Sequence, residues 1–250
     1  MNRSMKTLIA ALTVSAALTG QVEATSVAIV KGDYYTPNLK TQLENNGVIV
    51  MEVADYTAAS LSGFDAVVHY GNSFTDLTAL EAYVTGGGRL VLTPWSGWNF
   101  GLTPTLQIFD NGGSVPQFFT GYPGVTVLDA GNPLLKNVVL PAGSGGFDVG
   151  RITNIHTVFG VNDVANWADG TDFIGEKAVG AGKVIGINMH VITSDTAYAV
   201  IDQPWASQLM LNAVGATNAV PEPTSAVLAS LGLLGFAALR RRQKAVAVVA

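Results

Sequence analysis

The chain has 250 residues, 48% of them hydrophobic and 12% charged, with 13 Lys and Arg against 18 Asp and Glu, a formal net charge of −5 and no cysteine. Without a thiol it offers neither thiolate catalysis nor a cysteine-ligated metal, and a domain of this size needs no disulfide to bury an adequate core. An acidic balance repels polyphosphate and anionic lipid, which excludes nucleic acid as a partner.

Met1 to Ala24 carries Arg3 and Lys6, an apolar run from Leu8 to Leu18 and the small-x-small ending Val22-Glu23-Ala24. That is the order of a secretory signal peptide: the apolar core is too short for a transmembrane helix, and a signal peptidase site follows it, with cleavage expected after Ala24. From Thr25 to Ala219 there are 7 Lys and Arg against 16 Asp and Glu, a net charge of −9, so the part left after removal of both ends is more acidic than the whole.

Residues 25–219 read as a single α/β domain. Ser26 to Lys31 is a short apolar strand; Thr36-Pro37 opens a helix with an N-cap residue and proline at the first helical position, and Gly47 stops it. Val48 to Val53 and Phe64 to Tyr70 are the second and third strands. Thr75 caps a second helix with Leu77, Leu80 and Val84 at helical spacing, Gly86-Gly87-Gly88 ends it, and Arg89 to Thr93 is the fourth strand. Near-continuous apolar strands separated by helices predict a mostly parallel sheet buried on both faces.

Over about 94–141 the periodicity is lost to glycine, proline and aromatics, which predicts a long insertion with a short strand at Val125 to Leu128 and one helical turn around Pro133 to Val138. Thr171 to Val179 and Lys183 to Val191 then form two strands joined by Gly180-Ala181-Gly182, and Trp205 to Val214 closes the domain as a helix. This order of strands and helices, with its Gly-Gly-Gly strand start and terminal Gly-x-Gly-Lys-Val-Ile-Gly strand before a helix ending Leu-Asn-Ala-Val, resembles the class I glutamine amidotransferase-like fold and its ThuA-like relatives. The resemblance implies a flavodoxin-like three-layer sandwich. It also implies a cysteine nucleophile in a Gly-x-Cys-x-Gly elbow after the fourth strand and a His-x-Glu pair near the domain end. Here the elbow reads Thr93-Pro94-Trp95-Ser96-Gly97, with Trp95 in the cysteine's place, and no His-x-Glu occurs. The amidotransferase mechanism is therefore excluded.

Ser96 beside Gly97 invites a serine-nucleophile reading, but an elbow requires small neighbours and Trp95 is large. Its base would be His69, His156 or His190. His69 and His190 fall at strand ends, where both could face one crevice at the carboxyl edge of a parallel sheet. No histidine pair has metal-ligand spacing, and no cofactor is expected. Asp163, Asp169, Asp172 and Glu176 invite a calcium reading, but their spacing does not match a calcium loop, and Asp169-Gly170 reads as a turn between strands. What remains is a binding crevice. Strand ends bring together Asp33, Tyr34, His69, Asn72, Trp95, Trp98, Asn99 and His190, an apolar platform with hydrogen-bonding rims of the kind a sugar face needs; the alternative for Trp95 and Trp98 is packing of the insertion onto the domain.

The tail, 220–250, begins VPEPTSAVLASLGLLGFAALRRR. Its uncharged run from Thr224 to Leu239 is 16 residues, a helix of about 24 Å, short of the ~30 Å hydrocarbon core, and Arg240, Arg241 and Arg242 would stay cytoplasmic. Pro221-Glu222-Pro223, the short transmembrane helix and the arginine cluster resemble the PEP-CTERM sorting signal of Gram-negative bacteria. The resemblance implies export, transient inner-membrane anchoring and processing near the Pro-Glu-Pro triplet by exosortase in an exopolysaccharide-producing host, and delivery to the cell surface or extracellular matrix. The partners expected are signal peptidase, an exosortase-type peptidase, and an extracellular polysaccharide or envelope protein. The function expected is non-catalytic binding, with an exported hydrolase of unrecognised active site as the alternative.

Overall fold

A computed structural model of the chain describes residues 24–30, 37–69, 76–94, 102–112, 117–143, 148–191 and 200–216. The chain divides into two units, Met1–Thr217 and Asn218–Ala250, and the second, with the Pro-Glu-Pro triplet, the apolar run and the arginines, lies outside the described residues. So do residues 1–23.

In chain order the elements are β1 (Ser26–Val30), α1 (Pro37–Asn45), β2 (Ile49–Val53), α2 (Ala58–Leu61), β3 (Ala66–His69), α3 (Leu77–Thr85), β4 (Arg89–Leu92), β5 (Phe109–Asp110), β6 (Gln117–Thr120), β7 (Val125–Val127), a 3-10 turn (Pro133–Leu135), β8 (Gly150–Thr153), β9 (His156–Thr157), β10 (Asn162–Trp167), β11 (Asp172–Val179), β12 (Gly182–Ile187) and α4 (Pro204–Val214). Eight strands form one sheet in the order β2-β1-β3-β4-β12-β11-β10-β7. The first five run parallel, and β11, β10 and β7 extend the sheet in antiparallel steps. β5 with β9 and β6 with β8 form separate two-stranded ribbons.

The strand sequences explain the layering. β1, β3 and β4 are buried at nearly every position, so alternate side chains feed two cores. Val27, Ile29, Val68 and Val91 meet Leu39 and Leu43 of α1 and Leu209, Met210 and Ala213 of α4 on one face. Ala28, Val67, Leu90 and Leu92 meet Leu61 of α2, Leu80 and Val84 of α3 and Leu106 to Phe109 on the other. This is the expected three-layer sandwich with a mostly parallel sheet. The crossovers are short because the caps are local: Gly47 and Gly215 adopt φ of 79° and 81° at the ends of α1 and α4. At Gly182 a Cβ would lie 2.1 Å from the Val84 carbonyl, so a bare backbone is what lets the β11–β12 hairpin approach the end of α3.

Four details differ from the sequence reading. The N-cap of α3 is Asp76, whose carboxylate accepts from the Ala79 N–H; Thr75 lies outside the described residues. One-turn α2 intervenes between β2 and β3, started by Thr57 accepting from the Ser60 N–H, and is too short to show a helical period. The stretch at about 94–141 holds β5 and β6 in addition to the expected strand near Val125, and its helical turn is 3-10, capped by Asn132. β12 ends at Ile187 rather than Val191, because the Met189 N–H bonds back to the Ile187 carbonyl in a tight turn.

Candidate functional site

The carboxyl ends of the parallel strands define the crevice. β1 is followed in the sheet by β2 on one side and β3 on the other, so the strand order reverses at the β1–β3 boundary, where α/β sheets place ligands. Val30, His69, Leu92 and Asn188 mark that edge. His69 is 1% exposed, and its ring packs on the equally buried Tyr56 at a centroid distance of 5.2 Å. Its carbonyl accepts both the Thr93 N–H at 3.4 Å and the Thr93 hydroxyl at 3.2 Å, which fixes the start of the turn after β4 against the end of β3. His190 lies three residues beyond β12; its N–H donates to the Gly150 carbonyl at 2.7 Å, and its ring meets the edge of Phe118 at 5.9 Å. The two histidines therefore pack on different supports, Tyr56 for one and the β6–β8 ribbon for the other. Asp33, Tyr34, Asn72, Trp95, Trp98 and Asn99 lie outside the described residues.

The acidic cluster disperses. Asp169 Oδ2 pairs with Arg151 Nη2 at 2.7 Å, Asp172 accepts the Thr157 N–H, and Glu176 accepts from Asn132 at 2.8 Å and from Lys183 at 2.6 Å. Asp169-Gly170 is the turn between β10 and β11, as read from the sequence. Among the described residues no group of three or more His, Asp or Glu side chains is placed to hold a metal ion.

Two residues that the sequence reading passed over organise this half of the domain. Asn188, 1% exposed, accepts the Ile152 N–H through Oδ1 at 2.8 Å and donates through Nδ2 to the carbonyls of Ile152 (2.8 Å) and Asp172 (2.9 Å). Its own carbonyl accepts from Trp167 Nε1 at 3.2 Å. Arg151, 2% exposed, lies between the Phe119 ring (5.2 Å) and the Trp167 ring (5.6 Å). The only hints in sequence are a lone cation inside the GRIT strand and a lone amide ending KVIGIN.

Burial pushes the Asp172 carboxyl up and Asp163 adds to this, against the Thr157 N–H that favours the charged form. A raised carboxyl contributes stability that is present below its ordinary value of 3.8 and is lost as pH rises through its folded value. Asp172→Asn keeps an acceptor for Thr157 and cannot ionise. It is expected to be more stable than wild type at neutral pH, with the gap closing as the pH falls through the folded value toward the ordinary carboxyl value of 3.8. Urea midpoints measured across that range check it, and a constant gap would refute the assignment.

A second concavity, a cleft of about 500 Å³, opens at the opposite edge of the sheet between Phe64, Asp65, Tyr83 and Arg89. Tyr83 donates to the Phe64 carbonyl at 3.1 Å, and burial raises its phenol well above the usual range. This cleft is at the amino ends of β3 and β4, away from the switch point.

The eight-stranded, mostly parallel sheet with helices on both faces is a fold that this chain shares with ThuA-like and amidotransferase-like solved structures. Similar solved structures include a cytoplasmic protein of Salmonella typhimurium LT2, with a TM-score of 0.59 and 11% identity, covering 78% of this chain and 100% of that one. A ThuA-like protein of Parabacteroides merdae has a TM-score of 0.57 and 13% identity, covering 80% and 94%. PurLQS of Thermotoga maritima has a TM-score of 0.51 and 12% identity, covering 77% and 99%. At these identities the likeness is one of fold alone. No protein of curated function matches the chain. Residues 219–242 match the PEP-CTERM protein-sorting motif, which marks the chain for export and exosortase-type sorting to the cell surface. Among the described residues no helix is long and apolar enough to cross a membrane.

Proposed function

We propose that the globular part is a non-catalytic binding module of the cell envelope or extracellular matrix, delivered through the signal peptidase and exosortase-type steps that its two ends address, and that it binds glycan or protein at the carboxyl edge of its sheet. The observation that carries the reading is the turn after β4, where Trp95 occupies the position of the family's cysteine nucleophile. Support comes from the described groups at the carboxyl edge of the sheet. The Thr93 hydroxyl and the His69 carbonyl are committed to each other, and Asn188 is committed to backbone groups, so these buried polar groups act as framework. A neutral polysaccharide is the ligand that aromatic and amide groups recognise best, since a sugar ring stacks on Trp and hydrogen-bonds to Asn and Asp.

Affinity electrophoresis of the full chain through gels cast with host polysaccharide tests this. Wild type is expected to be retarded, and Trp98→Ala to run at least several-fold closer to the unretarded mobility. Equal mobility of both proteins in every polysaccharide would sink the glycan reading. Hydrolysis of a polysaccharide by wild type that disappears in His69→Ala would replace it with the hydrolase alternative.

A further inference from the structure

The carboxyl edge of the sheet continues past β4. β12 runs parallel to β4, β11 antiparallel to β12 and β10 antiparallel to β11, with Ile187 beside Ile174 and Asp172 beside Asn166. The turn between β10 and β11, residues 168–170, therefore lies at the same edge as Leu92 and Asn188, and Trp167 Nε1 reaches the Asn188 carbonyl across it at 3.2 Å. At ~4.8 Å for each strand crossed, the turn stands roughly 12 Å along the edge from the end of β4.

Three side chains meet at that turn. Phe119 stands opposite Arg151 in the β6–β8 ribbon, so both side chains lie on one face of it. Arg151 Cζ is 5.2 Å from the centroid of the Phe119 ring, and its Nη2 is 2.7 Å from Asp169 Oδ2. Asp169 is held at both oxygens, because Oδ1 accepts the Thr171 N–H at 3.1 Å, and the turn that carries it is tied down by the Ala168 N–H, which donates to the Gly124 carbonyl at 3.0 Å. A carboxylate has about four lone-pair sites, so one donor on each oxygen leaves acceptor capacity on both. The Asp169 side chain is 37% exposed and Phe119 is 52% exposed. One guanidinium thus supports a solvent-facing ring on one side and a solvent-facing carboxylate on the other.

Stability alone does not call for the charge of Arg151. The side chain is buried, and its Nε and Nη1 have no hydrogen-bond partner among the described residues. A buried cation with unspent donors costs stability that an apolar side chain of similar volume would not. What the charge does supply is a fixed carboxylate beside an aromatic ring. A pyranose uses both, stacking the C–H groups of one face on the ring and donating adjacent hydroxyls to the two carboxylate oxygens. We propose that Phe119 and Asp169 form a second sugar subsite at the carboxyl edge, positioned by Arg151, for a neutral polysaccharide with adjacent free hydroxyls. The proposal rests on the reading of the domain as a glycan-binding module. A single sugar cannot span the roughly 12 Å from this turn to the turn after β4, whereas a chain lying along the edge can. Uronates are refused, because Arg151 is already paired with Asp169 and residues 25–219 carry a net charge of −9.

Affinity electrophoresis of the full chain through gels cast with either the neutral or the uronate-rich fraction of the host polysaccharide reads this subsite. The neutral fraction is expected to retard wild type, and the uronate-rich fraction is not. Phe119→Ala should lose several-fold of the retardation, and Phe119→Trp, which keeps a platform, should hold it. Asp169→Asn should lose several-fold as well. Arg151→Met should do the same while urea titration shows it folded, since it removes only the group that positions the carboxylate; a purely structural arginine would leave retardation of the folded variant unchanged. Full retardation of Phe119→Ala and Asp169→Asn alongside an impaired Trp98→Ala would overturn this subsite and leave the crevice reading standing. Stronger retardation by the uronate-rich fraction would overturn the ligand class. A wild type retarded by neither fraction would overturn the subsite and the glycan reading together.

Discussion

Asp169→Ala is expected to lower the stability of the domain by about 3 kcal/mol, and Arg151→Met by much less, although the two side chains form a single ion pair. The asymmetry follows from where the two charges lie. Asp169 Oδ2 is 2.7 Å from Arg151 Nη2, but Asp169 is 37% exposed and Arg151 2%. Removing the carboxylate leaves a guanidinium enclosed between Phe119 and Trp167 with no counter-charge, while its Nε and Nη1 already lack hydrogen-bond partners. Removing the guanidinium leaves a carboxylate that water can reach, in a slot that methionine fills with comparable volume and with sulfur against two rings. The cost for Asp169→Ala is at the low end for a broken buried pair because its own exposure admits water to Nη2.

The pH dependence has a sign of its own. Burial pushes the Asp169 carboxyl up, but the Thr171 N–H and the Arg151 guanidinium outweigh it and hold the group below its ordinary 3.8. A depressed carboxyl contributes stability present above that ordinary value and lost as pH falls through its folded value. Asp169→Asn should therefore show a shallower acid limb than wild type, opposite to the behaviour expected of Asp172→Asn. Equal losses for Asp169→Ala and Arg151→Met in urea titrations would mean that the pair, not the stranded cation, sets the energy.

The parallel half of the sheet is legible in the sequence because its signals are local. VAIV, AVVH and RLVL are runs buried on both faces, and Pro37, Gly47 and Gly86 punctuate the helices between them. The antiparallel half is less so. β5, β6, β8 and β9 have two to four residues each, too few for a period to show, and their pairing is set by contacts 30 or more positions away, such as Thr153 with Gln117. The site divides likewise. That His69 ends a strand follows from the apolar run before it. That its ring packs on Tyr56 does not, because Tyr56 lies in the irregular connection between β2 and α2, where no period shows. Arg151 and Asn188 escape for a related reason: a lone polar residue in an apolar strand looks the same in sequence whether it points at solvent or at a buried partner.

Asn188→Ala is expected to cost about 4 kcal/mol, more than the deletion of any surface polar group in the domain. Its amide acts as an inserted peptide unit. Oδ1 takes the Ile152 N–H and Nδ2 serves two carbonyls, so β8 is hydrogen-bonded to the end of β12 although no strand pairing joins them. Alanine would strand one buried donor and two buried acceptors, at about 1–3 kcal/mol each before relaxation. Asn212 provides the control. It also donates to two carbonyls, those of Leu134 and Lys136 at 2.9 and 2.7 Å, but in a partly exposed position where water can replace it, and Asn212→Ala should cost about 1 kcal/mol. Asn188→Asp is the sharper test, because it keeps the acceptor for Ile152 and turns an oxygen toward the carbonyls of Ile152 and Asp172. If the network holds the β6–β8 ribbon in place, Asn188→Asp will be destabilised about as strongly as Asn188→Ala at neutral pH. It will also recover on acidification, when the protonated carboxyl regains one donor. A variant as stable as wild type at neutral pH would show that β8 is held by its apolar contacts alone, with Ile152 and Ile155 in the core sufficient without the amide.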